Sequence, residues 1–245
     1  MSGRQRLDEA LAARGLCPSR ARARDAVLRG TVKVDGLPAL KPSQPVGAHS
    51  VLTIADEALA YVSRAALKLK HGLAHFGISA RGKACLDIGA STGGFTQVLL
   101  EEGAAHVTAI DVGHGQMKLK DPRITLIEGL NARDLRADHL GRPVDLVVCD
   151  VSFISLRLAL PPALALAAEG AALVALIKPQ FEAGKDAVGK GGIVSDPAEH
   201  ERVCGEIADF LRGQGWRVLG VTESPVEGGD GTREFLVAAV RGTGT

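Results

Sequence analysis

A chain of 245 residues with 46% hydrophobic content is long enough for one large domain, or a medium domain with a small appendage, around a real core. A formal net charge of +1 excludes nucleic-acid binding driven by bulk charge, so any such role must come from local clusters. Cys17, Cys85, Cys149 and Cys204 lie far apart with no C-x-x-C spacing, which favours reduced, buried thiols over disulfides or zinc, and no metal is expected.

The N-terminus is polar and basic without an apolar h-region, so no signal peptide is expected there. The spacing of Leu7, Ala10 and Leu11 predicts a helix over Arg4 to Arg14, stopped by Gly15. Pro18-Ser19 opens a second helix, Arg20 to Arg29, with Ser19 as its N-cap. A strand from Thr31 runs into the Asp35-Gly36 turn, and short strands follow near Pro45 to Val46 and Val51 to Ile54. Arg4, Arg6, Arg14, Arg20, Arg22, Arg24, Arg29 and Lys33 fall here, opposed by Asp8, Glu9, Asp25 and Asp35. Such a run is either a solvated helix face or an RNA-docking face. The stretch Leu16 to Gly36 resembles the S4 RNA-binding domain, which implies a small α+β domain over 1–57 that meets phosphates through arginines, with few aromatics for base stacking. Arg4, Arg6 and Arg20 are the expected contacts. Arg20 begins a helix, where the helix dipole disfavours a cation, so an external phosphate explains it better than local stability does.

A linker over 58–62 leads to a second domain over 63–245. Ser63 caps a helix to about Phe76 in which Lys68 sits among core positions, a boundary residue that could simply snorkel. The apolar run Ala84 to Ile88 then breaks at Gly89-Ala90-Ser91-Thr92-Gly93-Gly94 and resumes as a helix. The glycines allow a sharp turn and close approach of a ligand to backbone N–H groups. The next strand ends at Asp111, which lies 22 positions after Gly89, a separation that suits an acid gripping ribose hydroxyls. The second glycine of a dinucleotide fingerprint would fall on Ser91, which crowds a pyrophosphate, and Asp87 beside the loop suits a cation. Together these favour S-adenosylmethionine over a nicotinamide dinucleotide.

Strands at Ile124 to Ile127, Val144 to Cys149 and Ala171 to Ile177 follow, with helices at Arg133 to Leu140, Leu156 to Ala168 and Asp196 to Gly213. The Leu156 to Ala168 stretch is the most apolar, yet Arg157, Pro161 and Pro162 exclude it as a transmembrane helix. Val218 to Val221 and Glu234 to Val240 close the sheet, the last strand antiparallel. The pattern predicts a parallel α/β sheet covered on both faces. Ligands of such sheets bind at the carboxyl ends of the strands, where Asp150 and Lys178 stand; Glu234 begins the closing strand at the same edge.

The motifs Tyr61-Val-Ser-Arg-Ala-Ala-Leu-Lys-Leu69, Leu86-Asp-Ile-Gly-Ala-Ser-Thr-Gly-Gly-Phe95, Cys149-Asp-Val-Ser-Phe-Ile-Ser155, Leu176-Ile-Lys-Pro-Gln-Phe-Glu182 and Arg233-Glu-Phe-Leu236 together resemble the TlyA-type ribosomal RNA methyltransferases, which are similar to FtsJ-like ribose methyltransferases. The resemblance spans nearly the whole chain. It implies a Rossmann-like class I methyltransferase sheet preceded by an S4 domain. It also implies a Lys68, Asp150, Lys178, Glu234 tetrad for 2′-O-methylation, a cofactor site on Asp87, Gly89, Ala90, Ser91, Gly93, Gly94 and Asp111 with Asp134 near the adenine, and ribosomal RNA or ribosomal subunits as cytoplasmic substrate. No obligate protein partner and no membrane are implied, although such proteins are also called haemolysins. An RNA-binding protein with an inactive transferase domain and a nicotinamide-dependent reductase are the alternatives. The first is disfavoured by the complete tetrad and the second by Ser91.

Overall fold

The computed structural model describes residues 4–184, 187–189, 191–228 and 231–242; residues 1–3 of the first expected domain and 185, 186, 190, 229, 230 and 243–245 of the second lie outside them. The chain divides into two compact units, Met1–Tyr61 and Val62–Thr245.

In the first unit β1 (Gln5–Arg6) leads directly into α1 (Leu7–Ala13), followed by α2 (Arg20–Leu28), β2 (Val32–Val34), β3 (Leu37–Pro38), β4 (Pro45–Val46) and β5 (Leu52–Ile54). The first helix begins three residues later than its apolar spacing predicts, because Gln5 and Arg6 pair antiparallel with Val46 and Pro45. Ser19 caps α2 as expected, its side chain accepting from the Arg22 N–H. Asp35 and Gly36 both take positive φ, 52° and 84°, which joins β2 to β3 in a tight hairpin. Leu7, Leu11, Ala23, Val27, Val32 and Leu52 form one small core. Arg22 donates to the carbonyls of Ala58 and Tyr61, and Arg29 pairs with Asp56, so the last residues of this unit are tied back to α2.

The second unit holds α3 (Ala65–Phe76), β6 (Ala84–Ile88), α4 (Gly94–Glu101), β7 (His106–Asp111), β8 (Ile124–Glu128), α5 (Ala137–Leu140), β9 (Val144–Cys149), α6 (Leu156–Ala159), α7 (Pro161–Leu166), β10 (Ala167–Ile177), α8 (Pro179–Glu182), α9 (Pro197–Gly213), β11 (Trp216–Glu223) and β12 (Phe235–Arg241). Its sheet runs β11-β12-β10-β9-β6-β7-β8, with β12 antiparallel to both neighbours and the other strands parallel. The order reverses at β6, so the crevice beyond the ends of β6 and β9 is the place where such a sheet takes a ligand. Buried residues of β6, β9, β10 and β12 form the main core with α6, α7 and α9.

Two predicted helices are broken. The apolar run after Leu156 becomes α6 and α7, since Pro161 and Pro162 cannot continue the first helix and instead start the second; the chain then enters β10 at Ala167. In place of a helix over Arg133 to Leu140 there is a 3-10 turn, Ala132–Asp134, capped by the Asn131 side chain, and then the short α5; Leu135 is extended between them. Among the described residues no helix is long and apolar enough to cross a membrane, and no group of His, Cys, Asp and Glu could hold a metal ion.

Candidate active site

The turn after β6 is built against the end of β9. Gly89 takes φ +82°, and a Cβ there would stand 2.3 Å from the carbonyl oxygen of Asp150. Glycine is therefore required twice over, for the conformation and for the space. Ser91 also adopts a left-handed conformation, φ 47°, a cost met by its N–H donating to Asp111 Oδ2 at 2.8 Å and by its hydroxyl bonding Gln116 Oε1 at 3.0 Å. The Gly113 N–H donates to Asp111 Oδ1 at 2.7 Å. Each Asp111 oxygen thus holds one backbone donor and keeps lone pairs for a ligand.

Asp87 is fully buried and does not line the cleft, so it is not at the loop surface where a cation beside the loop would meet it. Its Oδ2 accepts from Thr96 Oγ1 at 2.6 Å while Oδ1 has no partner, and the carboxyl braces α4 from beneath the loop. Burial pushes its pKa up to about 7, the Thr96 hydroxyl opposing the shift and Asp150 adding to it. A carboxyl whose folded pKa is raised contributes stability that is whole below its unfolded value of about 3.9 and is lost as pH rises through 7. Asp87→Asn is therefore expected to flatten the decline of melting temperature between pH 4 and pH 7 (about three pKa units at ~1.36 kcal/mol each). Parallel thermal melts of the two proteins across that range would contradict it.

Between the loop and the segment after β9 lies a cleft of about 870 Å³. Gly89, Ser91, Asp111, Gln116 and Asn131 supply its polar wall, and Ile110, Val112, Leu130, Ala132 and Val151 its apolar one. Asp150 closes one side, and Phe153, Leu158 and Phe181 form the outer rim.

Asp150 follows β9, Lys178 follows β10 and Glu234 precedes β12, and the pairing of Ile177 with Phe235 sets Lys178 and Glu234 at adjacent positions of one sheet edge. Lys68 comes from α3, which packs on β10 and β12. The four side chains form two ion pairs: Lys68 with Glu234, and Lys178 Nζ with Asp150 Oδ1 at 2.5 Å. Lys68 does not snorkel; it is 5% exposed, and Glu234 3%. Lys178 also donates to Ser152 Oγ at 2.9 Å. Buried pairs of this kind add little net stability against an apolar replacement, but losing one partner strands a charge. Two cations and two carboxylates held at such expense point to chemistry rather than to packing.

Asp134 is exposed at the end of its 3-10 turn and outside the cleft lining; the neighbours Asn131, Ala132 and Arg133 line it instead. Arg6 donates to both oxygens of Asp8, and Arg20 pairs with Asp8 and, at 2.9 Å, with Glu9. Asp8 is buried, and the two guanidinium groups, Arg6 above all, hold its carboxyl below the usual range. Arg20 therefore has local partners that account for a cation at a helix start, while its side chain stays 55% exposed. Arg4 is exposed, with no ion-pair partner among the described residues. Ser152, Phe153, Gln116 and Phe181 were not singled out from sequence. The available signal was the presence of Phe153 and Phe181 three positions after Asp150 and Lys178 in a chain with only 3% aromatic residues.

The FtsJ-like methyltransferase family matches residues 61–241, and the S4 domain matches residues 5–52. The chain is 46% identical to the 16S/23S rRNA (cytidine-2'-O)-methyltransferase TlyA of Mycobacterium tuberculosis, over 97% of this chain and 90% of that protein. It is 38% identical to Hemolysin A of Brachyspira hyodysenteriae, over 94% of this chain and 98% of the other. A solved structure described as "Putative hemolysin from Streptococcus thermophilus" superposes with a TM-score of 0.76 at 38% identity, covering 99% of this chain and 90% of that one.

Proposed function

We propose that this chain, which belongs to the FtsJ-like methyltransferase family and carries an S4 domain, methylates the ribose 2′-hydroxyl of ribosomal RNA in the cytoplasm, with S-adenosylmethionine as methyl donor. The observation that carries the reading is the Lys178–Asp150 pair at the wall of the cleft, backed by the Lys68–Glu234 pair on the neighbouring strand. The relative in Mycobacterium tuberculosis bears a name for this reaction.

The residues present fit the donor. Asp111 keeps lone pairs for ribose hydroxyls, Val112, Leu130 and Ala132 offer an apolar wall for a purine, and the Gly89 turn leaves the loop backbone open to the cleft. The bound donor would supply a methyl group on a sulfonium, open to displacement by an oxygen in line with it. For the protein's part, Asp150 accepts a hydrogen bond from the attacking hydroxyl and so orients it. Lys178 places a positive charge where that oxygen turns negative as its proton passes to the Asp150 carboxylate and on to solvent, and the sulfur that gives up the methyl would leave as a neutral thioether. Lys68 and Glu234 neutralise each other beside the adjacent register position. Phe153, 89% exposed and 5.2 Å from the Phe181 ring, offers a stacking face to a base turned towards the cleft. Labelled S-adenosylmethionine incubated with unmodified ribosomal RNA tests the whole: the label should survive in alkali-resistant dinucleotides, whose blocked 2′-oxygen cannot attack the phosphate. Label on bases, or none, would overturn the reading.

The S4 unit is proposed to dock the RNA through Arg4, Arg6 and Arg20. Arg4, free of ion pairs among the described residues, isolates that role from stability. Arg4→Ala should lower the slope of log affinity against log salt by about 0.7 to 0.9, as for one lost phosphate contact. Filter binding across a salt series would show it, and an unchanged slope would move the docking elsewhere.

A further inference from the structure

The segment after β9 is fastened to the segment after β10 at successive positions. Ser152 Oγ accepts from Lys178 Nζ, the Phe153 ring rests against Phe181, and Glu182 takes two hydrogen bonds, from Ser155 Oγ at 2.6 Å and from the Leu156 N–H at 2.7 Å. At its near end the same segment is tied by the Asp150 N–H donating to the Ile88 carbonyl at 2.9 Å. Between these ends Phe153 holds φ 66°, a left-handed conformation that a bulky residue keeps only when its surroundings impose it. Neither Ser152 nor Phe181 imposes it alone, since one is a single hydroxyl contact and the other a ring contact at the exposed rim. The far end carries the two shortest of these hydrogen bonds, at 2.6 and 2.7 Å. Glu182 is half-buried, and desolvation raises its pKa, opposed by its bonds from Ser155 and Leu156; a group placed at that cost merely to fill space would be apolar.

We infer that Glu182 is a positioning residue for the transfer reaction: by gripping Ser155 and Leu156 it closes the Asp150 to Ser155 loop and holds Ser152 and Phe153 at the cleft. This rests on the methyl-transfer reading above. Glu182 touches neither substrate nor donor in this assignment; it acts through the loop.

The test compares native protein with Glu182→Ala and Glu182→Gln, using an unmodified ribosomal RNA transcript and S-adenosylmethionine. Glu182→Ala should lower kcat about 10- to 100-fold, the scale of a misplacement near 1 Å, with donor affinity within about threefold of native. Glu182→Gln should restore most of it, because the amide oxygen still accepts from Leu156 while the amide N–H can donate to Ser155 Oγ. Hydrogen exchange should quicken over residues 151–158 in Glu182→Ala and not in Glu182→Gln. Native kcat in Glu182→Ala overturns the inference, as does equal loss in both variants with exchange quickening across the whole unit. If the native protein labels no ribose, the methyl-transfer reading fails, and the exchange measurement alone decides whether Glu182 anchors the loop.

Discussion

Lys178→Ala should lower methyl transfer by about 10² to 10⁴, the usual worth of a positioned acid, base or charge at the reacting atom. Affinity for S-adenosylmethionine should stay near native, because Lys178 is not among the residues lining the cleft and reaches it through Asp150 and Ser152. The substitution also strands Asp150, whose side chain is 16% exposed and paired at 2.5 Å, so a fall in melting temperature is expected beside the loss of activity. Breaking a buried pair by removing one partner costs about 3 to 5 kcal/mol. Adding Asp150→Asn to Lys178→Met removes both charges and should recover most of that stability while activity stays lost. The pair of variants separates chemistry from folding in one set of melts and single-turnover assays. Near-native turnover in Lys178→Ala would remove the lysine from the mechanism.

The parallel sheet, its antiparallel closing strand and the position of the glycine loop were legible because each rests on a local signal. Continuous apolar runs read as buried strands, and Gly89 to Gly94 can only be a turn. The two misjudged helices had the competing signal in view. Pro161 and Pro162 interrupt the first, and Asn131 caps a 3-10 turn ahead of the second. Side-chain partners across the fold are less visible. Nothing local to Arg20 shows that Asp8, twelve positions earlier, will lie beside it, nor that Lys68 will meet Glu234 rather than solvent. Asp87 is the subtler instance: its place before the loop is plain in the sequence, whereas its turn away from the cleft towards Thr96 depends on the face of β6 that α4 covers.

Gly89→Ala should be the most damaging single-methyl change in the second unit. The alanine must hold φ near +82°, which costs an L-residue roughly 1 to 2 kcal/mol. Its Cβ would also stand 2.3 Å from the Asp150 carbonyl oxygen and 3.3 Å from the Val151 side chain. The nearer clash is with backbone, so no rotamer relieves it. Either the turn moves away from Asp150 or the end of β9 moves away from the turn, at an overpacking cost of about 1 to 3 kcal/mol. Both movements injure the site. The first displaces Ser91 from Asp111, and the second displaces Asp150 from Lys178. Donor affinity and turnover should therefore fall together, turnover by at least about 10²-fold for a shift near 1 Å. Gly82 supplies the control, since it has φ +70° but open space around its missing Cβ. Gly82→Ala should show the conformational cost alone, in melting temperature, with donor binding and turnover intact. If Gly89→Ala melts and turns over like Gly82→Ala, the contact between the loop and Asp150 is not what couples donor binding to catalysis.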